Sequence, residues 1–176
     1  MKICIFCSAN SNLDPDYFEM TRQLGTELAK NGHSIVFGGT NLGLMECVAK
    51  AAHEAGGQVI GVVPTKVEER GCSSTYMDVC IPCADLNDRK ALMMAQSDVF
   101  IALPGGIGTL DEVFSVAASA TIGYHQKPVI LYNMNGYYES MRAVLDNILT
   151  HGFGKADYFR DVVFAEDLSQ IIEALA

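Results

Sequence analysis

The chain is poor in positive charge: 12 lysines and arginines stand against 21 aspartates and glutamates, for a formal net charge of -9 over 176 residues. Nucleic acid and anionic membrane surfaces are gripped by basic patches, so this balance argues against both as partners. Any anionic ligand has to be held locally. Long hydrophobic runs are also absent. No apolar stretch reaches the length of a membrane span, and Met1 leads straight into Ile3 to Phe6 without the basic start and long apolar core of a secretory signal. The expected location is cytoplasmic. Histidine is sparse, and His33, His53, His125 and His151 show no partner spacing that suggests a triad or a metal site. Nor is there an internal repeat, linker or low-complexity tract. With 49% hydrophobic residues the chain can bury one good core, so residues 1–176 are expected to form a single domain.

Six cysteines are present, and Cys4-Ile5-Phe6-Cys7 and Cys80-Ile81-Pro82-Cys83 both have C-x-x-C spacing. Cys4 lies in an expected strand, where residues three apart point to opposite faces, so Cys4 and Cys7 would chelate together only across a sharp turn. Free thiols, buried or partly buried, are the simpler reading, and no metal is expected.

Apolar runs alternate with helical patterns along the chain. Strands are expected at Lys2 to Phe6, Ser34 to Phe37, Gln58 to Val63, Asp98 to Leu103, Val129 to Tyr132 and Val162 to Phe164. Helices are expected at Asp14 to Lys30, Leu44 to Ala55, Arg89 to Gln96, Thr109 to Ile122, Tyr138 to His151 and from Asp167 onward. Thr65 to Pro82 has few periodic cues and reads as a loop followed by a short strand around Met77 to Ile81. This order predicts an α/β fold: a single-domain, Rossmann-like, doubly wound parallel sheet with helices on both faces. Such folds bind ligands beyond the carboxyl ends of their strands. Three candidate loops lie at such ends: Cys7 to Asn10, Gly38 to Met45 and Pro104 to Glu112.

The last of these is the most informative. Val99 to Glu112 reads V-F-I-A-L-P-G-G-I-G-T-L-D-E, a buried strand broken by Pro104, then Gly105, Gly106 and Gly108 before a helix. Backbone N–H groups at a helix start, with no side chains to hold a ligand off, suit a phosphate. The plainer alternative is a tight turn in which Thr109 and Glu112 form a T-x-x-E capping box. Asp111 and Glu112, read as first-turn residues, should repel a bound phosphate unless one faces something electron-poor. A sugar losing its base is such a group, because glycoside cleavage passes through an oxocarbenium-like transition state that a carboxylate stabilises. A nucleoside monophosphate therefore fits better than a dinucleotide.

With these loops placed, the chain resembles the LONELY GUY family of nucleotide phosphoribohydrolases, whose bacterial members were long labelled lysine decarboxylases. The family signature P-G-G-x-G-T-x-x-E is matched by Pro104, Gly105, Gly106, Gly108, Thr109 and Glu112, and its Arg-Lys pair by Arg89-Lys90. Shorter matches include G-G-x-x-x-G-L-M at Gly38 to Met45 and A-G-G-x-V-I-G-V-V-P at Ala55 to Pro64. The resemblance implies Arg89 and Glu112 as the catalytic pair. It implies Gly105, Gly106, Gly108 and Thr109 on the 5′-phosphate, with Lys90, Gly39 and Asn10 as further substrate-binding residues. Asn10 stands where the family usually has a hydroxyl in C-G-S-S, and Thr40 and Glu46 replace family glycines on the nucleotide side. A Trp often found after the motif is Ser119 here.

The decarboxylase label fits the chemistry poorly. A pyridoxal-phosphate enzyme needs a Schiff-base lysine and a partner for the ring nitrogen, and Lys90 is the only lysine beside the motifs. The expected activity is hydrolysis of nucleoside 5′-monophosphates, AMP or an N6-substituted AMP as in cytokinin activation, to base and ribose 5-phosphate. No cofactor is expected. The alternative is a module that carries a nucleotide or phosphorylated cofactor without turnover. A homodimer or higher homo-oligomer is expected through the helix Thr109 to Ile122, which is apolar over more than one stripe; the resemblance implies the same.

Overall fold

The apolar runs become seven parallel strands of one sheet in a computed structural model that describes residues Met1–Ala176. These are β1 (Lys2–Phe6), β2 (Ser34–Phe37), β3 (Val59–Pro64), β4 (Val79–Cys83), β5 (Val99–Ala102), β6 (Val129–Tyr132) and β7 (Val162–Ala165). The helices are α1 (Pro15–Lys30), α2 (Gly43–Glu54), α3 (Thr65–Glu69), α4 (Leu86–Gln96), α5 (Ile107–Thr121), α6 (Glu139–Thr150) and α7 (Leu168–Ala174), with 3₁₀ turns at Met134–Gly136 and Ala156–Phe159. No helix is long and apolar enough to cross a membrane.

Strand order is β4-β3-β2-β1-β5-β6-β7. The chain winds outward from β1 to β4, then crosses back and starts its second half at β5, beside β1. Pairing there runs Cys4 with Phe100, Ile5 with Ile101 and Phe6 with Ala102. Helices on both faces make the strands buried on both sides, which is why β3 is apolar and buried along its whole length. Ile3, Ile5 and Cys7 share one core with Leu24 and Leu28 of α1 and with Leu44 and Val48 of α2. Cys4 and Phe6 share the other with Met93 of α4, Val113 and Val116 of α5, and Met141 and Leu145 of α6. Cys4 and Cys7 thus sit on opposite faces. Because α1 leaves β1 for one face and α5 leaves β5 for the other, a crevice opens between the two loops.

Three sequence expectations need correction. Thr65–Glu69 is a short helix rather than loop; with no buried residue it leaves no apolar period to read. The following strand is Val79–Cys83, two residues later than expected, fixed by pairing of Val79 with Ile60. The helix carrying Arg89 starts at Leu86, capped by the Asp85 carboxylate accepting from the Asn87 and Asp88 N–H groups, so Arg89 lies past the first turn.

The capping box of Thr109 and Glu112 also does not form. The helix begins at Ile107 with Gly106 as N-cap and no side-chain cap bond. Starting two residues early puts Thr109 inside the helix, where its side chain packs on Gly105: a Cβ there would lie 2.1 Å from Thr109 Oγ1. Asp111 and Glu112 consequently lie beyond the first turn.

Gly43 is the joint beside the crevice where backbone packs directly on backbone. It opens α2 at φ +57°, and a Cβ would stand 2.5 Å from the Ala9 carbonyl carbon and 2.7 Å from the Asn10 oxygen. Gly43→Ala is therefore expected to lose about 3 kcal/mol, from left-handed strain of ~1–2 and overpacking of ~1–3 kcal/mol. Urea unfolding measures it; a loss under about 1 kcal/mol would show that the Ser8 to Asn10 loop yields freely.

Candidate active site

The β1 and β5 loops enclose a cleft of about 290 Å³ lined by Cys7, Ser8, Ala9, Met45, Arg89, Gly106, Gly108, Thr109 and Glu112. It lies at the point where strand order reverses. Glycines keep its α5 side open, since a Cβ on either Gly106 or Gly108 would meet nothing within 4 Å. The α5 N-terminus therefore presents backbone with no side chain in the way, the geometry that suits an anionic group.

Arg89 reaches into the cleft from α4 and Glu112 from α5. Arg89 Nη2 donates to Glu112 Oε1 at 2.7 Å, with side-chain exposures of 14% and 3%. Arg89 Nε is buried without a partner. Burial pushes the Glu112 carboxyl up from 4.5 to about 7; the Arg89 charge and hydrogen bond pull it down, Asp111 pushes it up and Lys90 pulls it down. Desolvation outweighs the ion pair because only one guanidinium bond reaches the carboxylate. The neighbouring Cys7 and Cys4 thiols are pushed up by burial and then by the Glu112 charge.

Lys90 turns away to brace the two helices. Its Nζ donates to Asp111 Oδ2 at 2.7 Å and to Ser115 Oγ at 3.1 Å. An ammonium held in this way does not fit the Schiff-base lysine of a pyridoxal-phosphate decarboxylase, which must attack as a free amine.

Five of the residues singled out from the sequence therefore meet in the cleft: Arg89, Glu112, Gly106, Gly108 and Thr109. Four lie outside its lining. Lys90 is in the helix brace, and Gly105 is buried beneath Thr109. Asn10 is exposed, with Oδ1 accepting from the Asn12 N–H at 2.9 Å. Gly39 packs against Val63, while its neighbour Gly38 is the residue at the guanidinium, a Cβ there lying 3.0 Å from Arg89 Nη1. Cys7, Ser8, Ala9 and Met45 also line the cleft; the sequence marks their loops, Cys7 to Asn10 and Gly38 to Met45, but not these residues as site residues. Nothing in the sequence separates Gly38 from Gly39 before the exit angle of β2 is known.

Residues 45–175 match the family model described as possible lysine decarboxylase. Two proteins of Arabidopsis thaliana named cytokinin riboside 5′-monophosphate phosphoribohydrolase are 38% and 39% identical over 99% of this chain, covering 80% and 76% of their own lengths. Among solved structures, the molybdenum cofactor binding protein of Rippkaea orientalis superposes with a TM-score of 0.74 at 28% identity, covering 99% of this chain and 94% of that one. The molybdenum cofactor carrier protein of Chlamydomonas reinhardtii gives 0.75 at 28% identity, with the same coverage. Sequence match across nearly the whole chain and the shared parallel-sheet architecture lead to one conclusion: the chain belongs to the LONELY GUY family.

Proposed function

We propose that this chain hydrolyses the N-glycosidic bond of nucleoside 5′-monophosphates, giving a free base and ribose 5-phosphate. The observation that carries this reading is the buried Arg89–Glu112 pair set beside an open, glycine-lined helix start in one cleft. The N–H groups around Gly106 and Gly108, with Thr109, hold the 5′-phosphate. Arg89, which lines the cleft beside Glu112, orients the nucleotide and assists departure of the base. Glu112 supplies negative charge beside the anomeric carbon as the C–N bond breaks and takes a proton from the attacking water. The names of the relatives favour a cytokinin riboside 5′-monophosphate, an N6-substituted AMP, as substrate, and AMP itself is the unsubstituted alternative.

A second reading draws on the solved structures of molybdenum cofactor proteins: a carrier that holds a phosphorylated ligand intact. It leaves Glu112 without a task. Incubation with AMP and isopentenyladenosine monophosphate followed by chromatography separates the readings, because nucleotide binding without release of base across a broad panel would favour the carrier.

Glu112→Gln is expected to lower turnover by roughly two to four orders of magnitude, the range for lost acid–base or electrostatic assistance. Near-normal turnover would remove Glu112 from the mechanism. In the unaltered protein kcat/KM should rise with pH through about 7 as Glu112 ionises. Stability should move the opposite way. Between about pH 4.5 and 7 the native carboxyl keeps a proton that the unfolded chain has released, so this group's contribution to stability falls as pH rises through that window. Both pH dependences should flatten in Glu112→Gln, as rate profiles and denaturant titrations would show.

If the phosphate is the main anchor, kcat/KM for AMP should exceed that for adenosine by roughly a hundredfold, about 3 kcal/mol from two charge-assisted hydrogen bonds. Equal values would place recognition elsewhere.

We further propose a homodimer through the α5 face. A groove of about 300 Å³ between α5 and α6 is lined by Leu110, Phe114, Tyr137, Tyr138, Met141 and Val144, and Phe114 and Val144 are 39% and 50% exposed. Apolar surface of this kind is commonly covered by a symmetric copy. Sedimentation at micromolar concentration checks it, and a clean monomer would refute it.

A further inference from the structure

Tyr137 lies outside the cleft, yet its hydroxyl donates to the carbonyl oxygen of Gly105, the residue just before the helix start that the proposed phosphate site uses. Several contacts fix its position. The chain after β6 makes a left-handed turn at Asn135 and Gly136, with φ of 53° and 73°. Asn133, buried, accepts the Tyr138 N–H at Oδ1 at 2.7 Å and donates through Nδ2 to Glu139 and Glu166. The two tyrosine rings pack edge to face at 5.1 Å. Tyr138 then donates to the Leu103 carbonyl at 2.7 Å, so adjacent tyrosines hold the carbonyls on either side of Pro104.

The two bonds differ in what they can orient. In a trans peptide the C=O and the following N–H point in opposite directions, and this chain has no cis peptide bond. Holding the Gly105 oxygen toward Tyr137 therefore directs the Gly106 N–H away from it, and Gly106 lines the cleft. With glycine on both sides, the backbone's own φ/ψ limits do little to oppose rotation of that peptide, so an outside contact is needed to hold it. The Leu103–Pro104 peptide, by contrast, has no N–H to aim.

From this geometry we infer that Tyr137 is a positioning residue: its hydroxyl locks the Gly105–Gly106 peptide so that the Gly106 N–H faces the phosphate of the substrate. The inference rests on the phosphoribohydrolase reading for the identity of the ligand, but not on turnover. Without the hydroxyl the peptide samples the flipped orientation, in which a carbonyl oxygen faces the anion.

Titration of the full-length protein with ribose 5-phosphate tests it directly. Tyr137→Phe, which keeps the ring, should weaken ribose 5-phosphate about fivefold, the worth of one hydrogen bond of ~1 kcal/mol. The loss with AMP should appear in KM rather than kcat. Tyr138→Phe should lower stability, because the buried Leu103 carbonyl loses its donor, while changing ribose 5-phosphate affinity less than twofold. Unchanged affinity in Tyr137→Phe, or an equal loss in both variants, would overturn the inference and reduce the bond to a structural one. Ribose 5-phosphate binding without AMP hydrolysis would defeat the catalytic reading and leave Tyr137 to be judged on affinity alone. Failure of the unaltered protein to bind ribose 5-phosphate would overturn both.

Discussion

One constraint organises the site: a carboxyl that is 3% exposed can ionise there only if something answers its charge, and Arg89 does so from a different helix. Glu112 is on α5, which follows β5; Arg89 is on α4, which precedes it. The pair therefore ties together the two helices that precede and follow β5, the strand at which the sheet changes direction. Lys90 repeats the link one residue along by bonding Asp111 and Ser115. Removing Glu112 would leave the Arg89 guanidinium without its counter-charge, a defect worth about 3–5 kcal/mol, whereas removing Arg89 would favour the protonated Glu112 carboxyl. The outer pair, with Asp111 55% exposed, is worth far less.

The remaining parts of the cleft follow from where that pair sits. Gly38 leaves room for the guanidinium, since a Cβ there would crowd Arg89 Nη1 at 3.0 Å, and Met45 on α2 lies beside the same glycine and lines the cleft. Gly43 holds the start of α2 against the Ala9–Asn10 backbone, so the β1 loop and the β2 loop form one wall. Glycine thus serves three purposes here: passage for a side chain at Gly38, contact between backbones at Gly43, and an open helix start at Gly106 and Gly108.

Much of this was legible in the sequence, and the misses share a cause. Alternating apolar runs located the strands because a doubly covered sheet demands continuous hydrophobicity, as in β3. The P-G-G-I-G-T-L-D-E segment and Arg89-Lys90 were found because their residue types are chemically unusual together. Local rules failed where tertiary contacts decided the outcome. T-x-x-E looks like a capping box, but the pull of Arg89 on Glu112 and the seat of Thr109 on Gly105 move the helix start to Ile107. Lys90 looks like a ligand residue until Asp111 and Ser115 are seen to occupy it. Asn10 and Gly39 follow only from position within a motif, and the side-chain bond to Asn12 and the contact with Val63 are not encoded at that level. Tyr137 gave no signal, because its role depends on a carbonyl 32 residues away.

The same sheet and the same glycine-lined helix start can hold a phosphorylated ligand with or without cleaving it, so the fold does not choose between hydrolase and carrier. The electrostatics do bear on the choice. A carboxylate whose burial lifts it to about 7 destabilises the folded chain whenever it is ionised at neutral pH. A protein that only holds an anion gains nothing from such a group, since the carboxylate repels the ligand as well as weakening the fold. A hydrolase gains a base poised near neutrality and a negative charge beside a carbon that becomes positive in the transition state. Glu112 is unfavourable for the first task and suited to the second. Its position, buried next to Arg89 in a cleft whose neighbouring backbone can take the phosphate, is what makes cleavage the better account of this chain.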